Sequence, residues 1–134
     1  MAKKIRVLLV EPMAEPRLVT VDHTLENLQR LVGGSIQAVY PWEDPVALIC
    51  NVDGIALRLP LNRMLTDDSG KVYDIIHGKF FITGLSYDNF ASISENLAEK
   101  FKNLFRYSEL YIQTEDGHVI CFKLGSNEQP ILVF

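Results

Sequence analysis

Gly33–Arg63 reads GGSIQAVYPWEDPVALICNVDGIALRLPLNR. Ser35–Tyr40 alternates in the manner of a strand, with Ile36, Ala38 and Tyr40 on one face. Pro41 and Pro45 bracket Trp42, Glu43 and Asp44; each proline fixes the backbone and removes a donor, so this loop is stiff and cannot continue a sheet. Val46–Cys50 has little polar relief and reads as a central strand. Asp53-Gly54 is a tight-turn signal between apolar runs, and a hairpin returning through Ile55–Leu59 is expected from it. Leu61–Leu65 reads as a short irregular or one-turn helical exit that carries Asn62 and Arg63.

Towards the N-terminus, Ile5–Val10 is an aliphatic strand with both faces covered. Glu11–Pro16 is a proline-bearing loop, and Arg17–Val21 pairs back on the first strand. Asp22 and Thr24 offer N-caps for a helix over 24–32, whose stripe is Leu25, Leu28, Leu31 and Val32. Gly33-Gly34 ends it. Towards the C-terminus, Thr66–Lys71 is an exposed turn, Val72–Ile76 a strand or bridging segment, and Lys79–Thr83 a strong strand; Leu85–Phe90 is loop. A longer helix spans 93–106, capped by Ser92 or Ser94, with Ile93, Leu97, Phe101, Leu104 and Phe105 as its apolar stripe. Two strands flank Glu115-Asp116-Gly117, and the chain closes on Ile131–Phe134, whose side chains need cover from this sheet or from another subunit. The pattern predicts an α+β fold: a mainly antiparallel sheet with two packed helices and C-terminal strands, in one domain over residues 1–134.

Composition bounds the function. With 134 residues and 48% apolar content, the chain can bury a core unaided. Its net charge of −4 argues against broad nucleic-acid or membrane binding, which needs a basic surface. A small anionic ligand stays compatible, because local cations outweigh a distant field screened over about 10 Å. Cys50 and Cys121 lie inside apolar strands and read as buried free thiols. The apolar run after Lys3 and Lys4 is too short for a signal or membrane segment, so a cytoplasmic protein is expected.

Catalytic and metal patterns are thin. His23, His77 and His118 show no paired spacing, neither cysteine has a CxxC partner, and no metal or cofactor is expected. Glu43-Asp44 and Asp67-Asp68 sit in solvated loops, where nothing raises a carboxyl pKa for acid–base work. The remaining constellation is one for binding. Tyr40 and Trp42 end one strand, Arg58 stands in the following hairpin, Asn62 and Arg63 leave it, and His77 and Lys79 flank Gly78. Convergence of these groups would offer aromatic faces and a guanidinium fork to a nucleotide. The plainer reading has Trp42 covering the core edge and Arg63 pairing with Asp67 or Asp74.

The runs VLLVEP, TLENLQRLVGG, YPWEDPVALICN, LPLNR and DIIHGKFFITG together resemble an uncharacterised family of small proteins of unknown function. Its members look like products of bacteriophages and other bacterial mobile elements. The resemblance covers residues 5–90, leaving the helix and strands of 91–134 outside it, and it brings no family activity or catalytic residues. It implies a phage protein in the bacterial host cytoplasm that acts on host immunity. The leading expectation is a non-enzymatic, homo-oligomeric binding protein that sequesters a nucleotide-type immune signal. A protein–protein inhibitor of a host protein is the alternative, and a nucleotide-cleaving enzyme the third reading.

Overall fold

The computed structural model describes residues 3–134. Its largest sheet is antiparallel throughout and is ordered β2-β1-β7-β4-β3, with β8 pairing the end of β7. The strands are β1 (Lys4–Val10), β2 (Arg17–Asp22), β3 (Ile36–Val39), β4 (Val46–Asn51), β7 (Phe80–Leu85) and β8 (Phe90–Ala91). A separate ribbon pairs β5 (Leu61–Thr66) with β6 (Val72–His77). A C-terminal sheet runs β11-β10-β9, from β9 (Glu109–Gln113), β10 (Val119–Lys123) and β11 (Ile131–Leu132). With helices α1 (Leu25–Val32) and α2 (Glu95–Leu104), this is the α+β architecture that the sequence pattern predicts.

Strand alternation decides which helix each residue meets. Ile5, Val7 and Leu9 of β1, Ala47 and Ile49 of β4, and Phe81 of β7 pack with Leu28 and Val32 of α1. The intervening residues Leu8, Val10, Val46, Leu48, Phe80 and Ile82 face the other way, onto Phe101 of α2, Phe105 and the ribbon residues Leu65 and Ile76. Both faces of β1, β4 and β7 are thus covered, and β4 is buried along its whole length. Each fully buried side chain of this kind stabilises the fold by about 1.5–3 kcal/mol.

The helix ends match their chemistry. Thr24 caps α1 by accepting from the Asn27 N–H, and Gly33 terminates it at φ 80°. Ser94 caps α2, while the Ser92 hydroxyl accepts from the Arg6 N–H and so ties β8 to β1. Leu104 departs from its expected place: it is 41% exposed at the end of α2, and the core contact falls to Phe105 instead. No helix among the described residues is long and apolar enough to cross a membrane.

Two further expectations, on 53–59 and 61–65, are corrected. Asp53-Gly54 makes no hairpin: β4 is already flanked by β3 and β7, and residues 52–59 form successive turns. The Asn51 side chain accepts from the Asp53 N–H, and Leu59 N–H bonds back to Gly54 O, which closes the segment on itself. Leu61–Leu65 is neither irregular nor helical but lies within β5. Its alternation is hidden because Asn62 and Arg63 are buried beside Met64 and Leu65 and the pairing with β6 is bulged. Ile131–Phe134 is covered within the chain on one side only: Ile131 and Val133 are half-buried, while Leu132 and Phe134 are 62% and 63% exposed.

Candidate ligand groove

The residues that suggest a binding site in the sequence do not converge. Trp42 is buried, its ring 4.5 Å from that of Phe101, and its Nε1–H donates to Thr66 O at 2.9 Å. The proline-braced loop is fixed around it by Asp68, which accepts from Glu43 N–H, and by Lys100, which pairs with Asp44. The ring is therefore a core residue with its polar atom satisfied. Tyr40, two residues away, is 59% exposed and borders a different hollow, formed with Leu85–Phe90.

Asn62 and Arg63 are also interior. The Asn62 amide donates to Val10 O and Gly78 O, and its oxygen accepts from Arg63 Nη1 at 2.9 Å. Arg63 Nε donates to Phe105 O and Nη2 to Ala14 O. Neither Asp67 nor Asp74 is its partner: Asp67 organises its own turn through Ser69 and Lys71, and Asp74 accepts from Ile75 N–H. Burial lowers the Arg63 pKa, opposed by the charge of Glu109. The guanidinium stitches β5 to the loop after β1 and to the end of α2, and presents no fork to a ligand.

His77 Nδ1 lies 3.2 Å from Leu59 O. A carbonyl only accepts, so this contact places the proton on Nδ1. With Cys50, Asn51 and Asp74, His77 lines a cavity of about 70 Å³, room for a few water molecules. The Cys50 thiol is pushed up in pKa by burial and then by the charge of Asp74, so it stays protonated at neutral pH and is no nucleophile there. Arg58 is exposed in the 52–59 turns at φ 54°.

Lys79 lines a roomier hollow than the one beside Tyr40. This groove, of about 440 Å³, lies where β1 ends, α1 ends and β7 begins. Pro12 supplies one apolar wall and Leu59-Pro60 another; Val32, Gly33 and Gly78 complete the lining. Gly78 has φ 82°, the left-handed region that favours glycine, and a Cβ there would stand 2.7 Å from Leu59 Cδ1. Arg30 and Lys79 bring two cations, and Glu11 one carboxylate. Both cations are loosely committed. Lys79 Nζ is 3.8 Å from Glu11, which Arg17 also holds, and Arg30 pairs with Glu26 on the surface of α1. Exposed pairs of this kind are worth only about 0–1 kcal/mol, so either cation can turn to an anion at small cost. The sequence gives no sign of Arg30, Pro12 or Leu59 as neighbours, because they come from separate segments with no fixed spacing.

The family described as Domain of unknown function (DUF3846) matches residues 5–106. The chain belongs to that family. The match takes in the groove and runs on through α2, beyond the motif-bearing stretch, and it ends before β9. Among curated proteins and among solved structures, nothing matches. Among the described residues, no cluster of three or more His, Cys, Asp or Glu is placed to hold a metal ion.

Proposed function

We propose that this DUF3846 protein is a non-enzymatic binding protein that holds a nucleotide-type anion in the Pro12–Leu59–Lys79 groove. In a phage or another mobile element, such binding would withdraw a nucleotide immune signal from the host. The observation that carries this reading is the groove itself: an apolar lining of Pro12, Val32, Leu59 and Pro60 beside two exposed cations, in a volume of about 440 Å³. Small-ligand sites run from roughly 300 to 1,000 Å³ and combine apolar walls with a few polar anchors. A base would lie between Pro12 and Leu59-Pro60, with Arg30 and Lys79 meeting phosphate. The binding site is thereby moved from the aromatic pair of the sequence reading to an aliphatic slot.

The test is incubation of the purified protein with cyclic nucleotides and ADP-ribose-type nucleotides, followed by removal of free ligand and heating. Intact nucleotide is expected in the heat-released fraction. Lys79→Glu with Arg30→Glu should abolish binding, while emission from the buried Trp42 should not change when ligand enters. Failure of every nucleotide to bind rejects the reading; release of a cleaved product replaces it with an enzyme.

A further inference from the structure

We infer that the outer face of the C-terminal sheet is a self-association surface, on which a second copy of this chain packs sheet to sheet. The register places Leu110 opposite Phe122, and aligns Ile112, Ile120 and Leu132 across the three strands. Opposed residues share a face, so every position of the paired strands on this side is apolar. Phe134, two residues after Leu132, adds another apolar ring.

The outer face is unusual for a sheet that meets water. Glu109 and Tyr111 of β9 point inward: Glu109 is buried and accepts from Met64 N–H, Tyr111 hydroxyl and Cys121 thiol, while Gln113 at the strand end is exposed. The apolar residues point out, where an antiparallel surface sheet ordinarily carries its polar set. Leu110 and Ile112 are 45% and 46% exposed, and Leu132 and Phe134 more than 60%.

Three features select a second copy as the occupant. The paired positions carry no charge, and the ionisable groups at the edge, His118 beside Phe134 and Asp116 next to it, are of opposite sign, so stacking two identical acidic chains brings no like charges together at the centre of the face. A sheet face is self-complementary about a two-fold axis, with the central strand β10 at the axis and the sheets about 10 Å apart. The area is sufficient: at roughly 200 Å² for a fully exposed large side chain, the exposed fractions leave on the order of 500 Å² per copy, about 1,000 Å² for the pair. That is the lower end of specific interfaces and implies a reversible, concentration-dependent dimer. The surface lies outside the residues matched by the family, and the inference is independent of any ligand in the groove.

The test is sedimentation velocity of the full chain between about 1 and 200 µM, at low salt and at about 0.5 M salt. The wild type should pass from monomer to dimer across this range, without weakening in salt. Ile112→Glu and Leu132→Glu alter exposed side chains; the double variant should stay monomeric with an unchanged circular dichroism spectrum. A wild type monomeric throughout, a dimer that salt dissociates, or a dimer that persists in the double variant would each overturn the inference. So would a face that captures only a foreign protein while the chain alone stays monomeric.

Discussion

Arg63 illustrates how burial reassigns a residue. A guanidinium near the end of a patterned segment reads as a ligand fork, yet here its donors end on Phe105 O, Ala14 O and the Asn62 side chain. Leaving buried acceptors without partners costs about 1–3 kcal/mol each. Arg63→Met is therefore expected to lower unfolding free energy by at least about 3 kcal/mol. Arg63→Lys should recover only part of that, because one ammonium cannot reach carbonyls in three directions. Urea denaturation of the three proteins decides it, and a loss under about 1 kcal/mol would contradict the role. Lys79 was legible as an exposed cation because it stands beside the Gly78 turn, before the apolar run of β7 begins. Trp42 was legible at the core edge as the plainer reading, whereas Asn62 and Arg63 were not legible as interior, because the carbonyls of Val10, Ala14 and Phe105 that satisfy them lie tens of residues away in the chain.

At the scale of elements, period and capping signals carry most of the fold. The Leu28 and Val32 positions of the α1 stripe, its Gly33 stop and the apolar Val46–Cys50 run of β4 could be read directly because each follows one period; Leu25, expected in the same stripe, is 61% exposed at the start of the helix. The reading broke at residues 52–65. There Asn51 turns the backbone with its own side chain, and β5 buries polar residues where alternation demands apolar ones. The same turns hold Arg58 in the left-handed region, a conformation that costs a non-glycine residue about 1–2 kcal/mol. Arg58→Gly should relieve that strain and, after glycine's greater unfolded-state entropy, raise stability by about 0.5–1 kcal/mol. A decrease on chemical denaturation would show that the arginine side chain makes a contact worth more than the strain.

Across the whole molecule, Glu109 is the join. Its carboxylate takes the Met64 N–H at 2.7 Å, fastening the C-terminal sheet to the ribbon. Two titratable neighbours share it. Burial, and then the Glu109 charge, push the Cys121 thiol up to about 12; burial and the bond to Glu109 raise the Tyr111 hydroxyl as well. Both groups are neutral in the fold and ionise more readily once unfolded. Their contribution is complete below about pH 8.5 and is lost as pH rises towards the folded-state values. Stability should accordingly fall between about pH 8.5 and 10.5. Cys121→Ala combined with Tyr111→Phe should flatten that fall; an unchanged slope would assign it to other groups.

The position of β7 also fixes the order in which the molecule can be built. β7 lies between β1 and β4 and pairs Phe80 with Val10, so the centre of the main sheet is supplied by a late segment. A nascent chain that has emerged only as far as Gly78 holds a β1–β2 hairpin and a β3–β4 hairpin with nothing to join them. The apolar edges of β1 and β4 then stay open to other chains until Leu85 leaves the ribosome, which makes that interval of synthesis the one most exposed to aggregation.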